Sequence, residues 1–363
     1  MASYSVIDGD GHVIEPLELW QERVSPAYRD RAPRPSEHRG RFLVEDSLLP
    51  GEERMPEPLR QHFQNISLEK YQEAIQARFQ PEARLHDMDR EGVGFAVLYP
   101  TLGLLMGGVR DAGLAIEICR AYNDWLSDYC RQCQGRAAGV AMIYLHDVKA
   151  ATEELKRVPS LALKGAFIRP GPEQPRDLGH PTFHPFYAEA ERLDVPIAIH
   201  EATSSLLPAS GADRFNSYFF KHVVTHPMEQ MLQCLSIVCG GLLEKFPRLT
   251  VAFMEAGAGW LPYWLWRMDE HYELMGELMT PWLKMKPSEY FERQCYISCD
   301  PDEWVLPRII DLIGEEKIVF ASDYPHFDSR FPEAVAGIRD NAALSERTKR
   351  KILGENAARL YGL

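Results

Sequence analysis

Apolar residues gather in eight short continuous runs rich in β-branched side chains, at 4–7, 95–99, 139–144, 165–168, 195–200, 250–254, 295–298 and 318–321. A run without polar alternation predicts a strand covered on both faces, as in a parallel sheet. Between the runs lie stretches with helical spacing, at 112–131, 150–157, 183–193, 228–246, 261–273 and 304–313. This alternation predicts an α/β protein and fits a (β/α)8 TIM barrel better than a doubly wound sheet. Residues 26–67 break the pattern: rich in Pro, Arg and Glu, they show no period before Glu69. As an insertion after the first strand, they are expected at the barrel's active end as a lid, binding loop or dimer arm. A second irregular stretch, 201–216, leads into the rings of Phe215, Tyr218, Phe219 and Phe220, read either as anchors of that loop or as substrate-facing groups.

Composition narrows the picture. A chain of 363 residues, 45% hydrophobic and 26% charged, has the means to build a packed core, which excludes disordered and fibrous classes. Its length admits two domains or one large barrel, and the unbroken alternation favours one domain over 1–363. The charge, 40 − 53 = −13, with no basic run beyond Lys349–Lys351, argues against nucleic acid or anionic membrane as partner. A small-molecule substrate is expected instead. No run of 18 apolar residues occurs, the first ten residues carry no leader pattern, and seven scattered cysteines form no disulfide framework. A cytoplasmic protein is expected. The Cys130–Cys133 pair ends a helical stretch without a second such pair and reads as structural.

In a barrel of this kind, residues at the C-terminal strand ends line the active site. The first run leads into Asp8-Gly-Asp10-Gly-His12 and then Glu15; the fifth ends in His200, the sixth in Glu255, and the eighth in Ser322-Asp323-Tyr-Pro-His326. Each supplies a metal-ligand type, and Asp10 and His12, two residues apart on an extended strand, share a face and can chelate one ion together. Pro227 suits the first turn of a helix, which would place His226 at a helix N-terminus open to the pocket. Arg169 follows the fourth strand, where a guanidinium can hold a substrate carboxylate or pair with an acidic ligand.

The Asp-x-His of the first strand, His200, the segment Gly-Leu-Leu-Glu-Lys-Phe-Pro-Arg-Leu before the sixth strand and Ser322-Asp323-Tyr-Pro-His326 together resemble the amidohydrolase-related family. The branch they resemble contains aminocarboxymuconate semialdehyde and γ-resorcylate decarboxylases. The resemblance covers nearly the whole chain. It implies a distorted barrel with a divalent metal at its mouth, held by Asp10, His12, His200 and Asp323, and a homodimer. The chain departs from the decarboxylases where it carries Asp10 in place of their His or Glu, and Glu255 in place of the sixth-strand histidine that serves proton transfer in them.

Asp10, His12, Glu15, His200, His226, Glu255 and Asp323 make seven ligand-type groups, more than one ion requires, so two ions are expected. Carboxylate-rich ligation suits iron or manganese at least as well as zinc. Glu15 has a competing reading as a helix cap or partner of Arg23, and Glu255 as an acceptor behind a metal-bound histidine. Two reactions follow. The favoured expectation is a nonheme di-iron monooxygenase using O2 on an apolar ring compound, terpenoid-like or aromatic, similar in type to the one of platensimycin and platencin biosynthesis. The other is a non-redox decarboxylase or C–C or ester hydrolase with one zinc or manganese ion, acting on a cyclic carboxylic acid. Glu255, His226 and Arg169 are the candidate catalytic groups in either case. Met106, Phe219 and Trp260, with Leu104 and Leu105, are the candidate substrate contacts.

Overall fold

The computed structural model describes residues 5–36, 42–45, 47–48, 56–171, 176–200 and 209–363. Seven of the eight apolar runs form strands and the first contributes Ile7 to one: β1 (Ile7–His12), β2 (Phe95–Tyr99), β3 (Ala137–Met142), β4 (Gly165–Ile168), β5 (Ile197–His200), β6 (Val251–Met254), β7 (Cys295–Cys299) and β8 (Ile318–Phe320). They pair in chain order, each neighbour parallel. The ring closes beyond the ends of β1 and β8: His12 N–H donates to the Tyr324 carbonyl at 2.6 Å, and Asp323 N–H to the Asp10 carbonyl at 3.1 Å. The distorted (β/α)8 barrel of the amidohydrolase type is therefore the observed fold, and its strands are almost wholly buried, as their unbroken apolar character requires.

The first strand begins later than its apolar residues predict. β1 runs Ile7–His12 rather than 4–7, so Asp8, Asp10 and His12 lie on the strand itself, all buried. Gly11 permits this: a Cβ there would sit 2.5 Å from both Arg84 Nη2 and Asp8 Oδ2.

Helices α1 (Glu57–Lys70), α2 (Pro81–Glu91), α3 (Ala112–Gln132), α4 (Val148–Leu155), α5 (His184–Leu193), α6 (Tyr218–Cys239), α7 (Leu261–Met279), α8 (Pro287–Gln294) and α9 (Leu306–Ile313) are the principal helices. Two differ from expectation. α1 lies inside the stretch read as irregular, because its apolar stripe, Leu59, Phe63 and Ile66, is short and none of it is fully buried. α6 starts nine residues before Pro227, which sits in its interior, so His226 is not at a helix N-terminus. The rest of the early insertion includes a small antiparallel sheet of Arg34–Pro35, Phe42–Val44 and Ser47–Leu48. The predicted loop 201–216 is described only from Ala209, so Ser204, Ser205 and the rest of 201–208 lie outside the described residues. Among the described residues, no helix is long and apolar enough to cross a membrane.

Candidate metal centre

The polar ends of β1, β5, β6 and β8 converge at one point of the barrel mouth. His12 is fully buried, and its Nδ1 donates to the Pro100 carbonyl at 2.7 Å, which leaves the Nε2 lone pair facing the carboxylates. Nε2 lies 3.3 Å from Asp323 Oδ1 and 3.6 Å from Asp10 Oδ1. His200 stands between two carboxylates, its Nε2 3.1 Å from Asp10 Oδ1 and its Nδ1 3.1 Å from Glu255 Oε2. Asp10, His12 and His200 bring one ligand atom each within 4.8 Å of one another, and His12, Glu255, Asp323 and His326 do the same. Burial, with His326 and His200 close by, holds the His12 pKa well below its ordinary value, so its ring is neutral and suited to ligation.

Backbone strain accompanies two of these carboxylates. Glu255 and Asp323 are left-handed, with φ of 57° and 53°, a region that non-glycine residues enter at a cost of about 1–3 kcal/mol. Each turn is fastened: Glu255 N–H donates to Ser298 Oγ at 3.0 Å, and Asp323 N–H to the Asp10 carbonyl. Asp8 fastens the closure of the ring from below. Its Oδ1 accepts Ser322 N–H at 3.0 Å and its Oδ2 accepts the Ser322 hydroxyl at 2.6 Å. Burial raises the Asp8 pKa to about 6, against the opposing pull of Arg84 and Ser322. Arg84 in turn donates to the His12 carbonyl at 2.8 Å, tying α2 to the ligand strand. Neither residue carried a recognisable sequence signal, since their partners come from the other end of the chain.

His326 completes the cluster. Its Nδ1 meets Asp323 Oδ1 at 2.6 Å, its Nε2 meets Thr101 Oγ1 at 3.0 Å, and its ring lies 4.1 Å from that of His12. Burial opposes its positive charge, but Asp323 and the neighbouring acids outweigh burial and raise the pKa to about 9. In sequence it stood only as the last residue of the Ser322-Asp323-Tyr-Pro-His326 segment.

Above the cluster lies a cavity of about 690 Å³. Asp10, Glu255, Asp323 and His326 form its floor, Leu102, Leu104, Leu105 and Phe327 an apolar side, and Tyr218, His222 and His226 a polar side. Those last three stand at i, i+4 and i+8 on α6, with ring separations of 5.6 and 4.8 Å. Burial, then His222, lowers the His226 pKa to about 3. Arg60 and Gln64 reach the cavity from α1. Neither carried a local signal in sequence, and Tyr218 was legible there only as one of the rings after the fifth strand, its pairing with His222 along α6 being hidden by Pro227.

Other expected site residues are placed elsewhere. The Glu15 carboxylate accepts the backbone N–H groups of Thr101, Leu102 and Gly103 at 3.2, 2.9 and 2.8 Å, fastening the Leu102–Leu105 turn instead of joining the ligand cluster. His226 lines the cavity but belongs to neither ligand group. Arg169 is buried close enough to influence His226 but does not line the cavity. Met106 is fully buried and does not line the cavity, Trp260 packs against Phe253 at 6.2 Å, and Phe219 is exposed to solvent. The ring cluster after the fifth strand is thus divided: Tyr218 faces the cavity while Phe219 and Phe220 face outward.

The donor set fits a divalent cation. His12 Nε2 and His200 Nδ1 are buried nitrogens without a hydrogen-bond partner, set among carboxylates of opposite charge preference.

The amidohydrolase family model matches residues 7–363. The chain belongs to the amidohydrolase family. It is 27% identical over 288 residues to the 2-amino-3-carboxymuconate-6-semialdehyde decarboxylase of Dictyostelium discoideum, covering 78% of this chain and 77% of that one. It is 28% identical over 299 residues to the γ-resorcylate decarboxylase of Rhizobium sp. (strain MTP-10005), covering 78% and 87%. Among solved structures, it superposes on an amidohydrolase from Mycobacterium avium subsp. paratuberculosis K-10 with a TM-score of 0.83, 22% identity and full coverage of both chains. A dihydroxybenzoic acid decarboxylase from Polaromonas sp. JS666, solved with bound manganese, gives 0.70 at 22% identity, covering 99% and 97%.

The two curated relatives correct the expectation of a di-iron monooxygenase, since both are decarboxylases. The structure supplies a physical reason. The case for two irons and O2 rested on seven ligands, and Glu15 is occupied by three N–H groups while His226 stands apart from both ligand groups.

Proposed function

We propose that this chain is a divalent-metal-dependent decarboxylase that releases CO2 from a cyclic carboxylic acid. The observation that carries this reading is the convergence of Asp10, His12, His200 and Asp323 beneath a cavity with one apolar and one polar side. Those four residues would hold the ion, manganese or zinc. When bound, it supplies a Lewis-acid centre for the substrate's carboxylate or an adjacent oxygen. Leu102, Leu104, Leu105 and Phe327 receive the ring, and Arg60 offers a cation to an acidic substituent.

Decarboxylation breaks one C–C bond, leaves its electron pair on the ring carbon and requires one proton there. His326 lines the cavity and is oriented by Asp323 Oδ1 at 2.6 Å and Thr101 Oγ1 at 3.0 Å, so it is the group placed to deliver that proton in place of the sixth-strand histidine that this chain lacks. Glu255 Oε1 lies 3.9 Å from His326 Nδ1, a second carboxylate beside that ring. Chelated protein should be inactive on dihydroxybenzoates and related ring acids, and Mn2+ or Zn2+ should restore CO2 release from at least one. Undiminished turnover after chelation, or none with any ring acid and metal, would refute the reading.

A further inference from the structure

His326 stands on a segment that a distant part of the chain holds in place. Residues 326–330 follow the eighth strand without regular secondary structure. Near its start, His326 N–H donates to the Asp323 carbonyl at 2.9 Å, and further on the Ser329 hydroxyl donates to the Ser322 carbonyl at 2.7 Å. Three carbonyls of the segment are met from the C-terminal end of α1. Tyr71 Oη donates to the His326 carbonyl at 2.9 Å, and Lys70 Nζ donates to the Phe327 carbonyl, also at 2.9 Å, and to that of Ser329.

A ring stack runs beside these bonds. Phe63 of α1 lies 3.8 Å from Phe327, the rings 19° from parallel, and Phe327 both follows His326 and forms part of the cavity's apolar side. The anchor of this arrangement is Tyr71, buried in a small separate core with Ala74, Tyr324 and Phe331. A lysine at a helix C-terminus ordinarily faces the last carbonyls of its own helix. Lys70 Nζ instead reaches two carbonyls of another segment. The His326 ring is aimed by Asp323 Oδ1 and Thr101 Oγ1, but those contacts place the ring only while its backbone stays where it is. Proton delivery is sensitive to that placement, since a misplacement of about 1 Å costs on the order of 100-fold in rate.

We propose that Lys70 and Tyr71 are positioning residues for His326. By holding the carbonyls of 326, 327 and 329, with Phe63 backing Phe327, they set the imidazole that gives its proton to the ring carbon left with the electron pair of the broken C–C bond. The inference rests on the reading of His326 as the proton source, and neither residue lines the cavity or belongs to a ligand group. In the zinc-loaded full chain, the hydrogen-bonded ring N–H protons of His12 and His326 should give separate low-field NMR signals, the second identified by its loss in His326→Gln. Lys70→Met and Tyr71→Phe should shift the His326 signal or speed its exchange with water at least about tenfold, and leave the His12 signal and the metal content unchanged. In both variants kcat for CO2 release should fall about 10–100-fold with KM within about threefold of wild type, and Lys70→Arg should recover most of the loss. An unchanged His326 signal in both variants, or one that moves only together with the His12 signal and the metal content, would overturn the proposal. Wild-type turnover by His326→Gln would overturn it together with the proton source, whereas wild-type turnover by Lys70→Met and Tyr71→Phe beside an inactive His326→Gln would overturn the positioning alone. A chain that consumes no ring acid refutes the decarboxylase reading, and the His326 signal then still decides whether Lys70 and Tyr71 hold the ring.

Discussion

The two nitrogens of His12 have different duties, because the Pro100 carbonyl fixes the proton on Nδ1 and leaves Nε2 for a cation. Asp323 sits 3.3 Å from that Nε2 on a left-handed backbone that only the surrounding hydrogen bonds sustain. Removing either ligand should remove the ion and not merely slow the reaction. His12→Asn and Asp323→Asn are expected to lower bound metal by at least about tenfold and turnover by at least about 100-fold, read by metal analysis and CO2 release. The carboxylates behind the site have a different signature. Glu91 accepts Val335 N–H at 2.8 Å, and burial, with Asp8 nearby, raises its pKa to about 7. A raised carboxylate pKa means that the fold favours the protonated form, so its contribution is fully present below the unfolded pKa and is lost as pH rises toward 7. Glu91→Gln removes that loss. Its melting temperature should match wild type near pH 4.5 and exceed it by a few degrees at pH 8, and a constant difference would contradict the assignment. Of these side chains, Asp10, His12, His200 and Asp323 were legible as candidate ligands because a ligand-type residue at a strand end is a local signal, whereas Asp8, Arg84 and Glu91 act through partners remote in sequence.

At the scale of elements, the strands were legible because a strand covered on both faces has a continuous apolar sequence, and seven of the eight runs form strands while the first supplies only the start of β1. Two helices were not. α1 has only a short apolar stripe, Leu59, Phe63 and Ile66, none of it fully buried, so its period is weak, yet it brings Arg60 and Gln64 to the cavity. α6 contains a proline that looks like a helix start, and the residues before it, including Tyr218 and His222, were therefore read as loop. Glu15 shows the same limit, since only the fold brings the three N–H groups of the Leu102–Leu105 turn to its carboxylate. Glu15→Ala should leave the metal content unchanged, weaken apparent substrate affinity severalfold and cost about 1–3 kcal/mol in unfolding free energy. Loss of the metal in that variant would restore Glu15 to the ligand set. α2 reaches the site through Arg84, which donates to the His12 carbonyl and lies 3.8 Å from Asp8. Arg84→Met should weaken metal binding by about 10–100-fold in titration calorimetry, as the loss of a group that orients a ligand strand does elsewhere.

At the scale of the molecule, the barrel gathers residues from positions 10 to 326 at one mouth, and its closure beyond β1 and β8 is part of the site. The fold alone leaves the chemistry open, because one barrel of this kind hosts many reactions. The choice between oxidative and non-redox chemistry depended on which ligand-type groups meet in space, and a count along the chain overstated them. The central claim is that metal-dependent loss of CO2 proceeds here without oxygen. The most direct test follows CO2 and substrate together in an anaerobic reaction of manganese-loaded protein with a ring acid that it consumes. One CO2 per substrate, at the same rate with and without O2, is the predicted result, and substrate loss that requires O2 or yields a hydroxylated acid with its carboxyl group intact would contradict it.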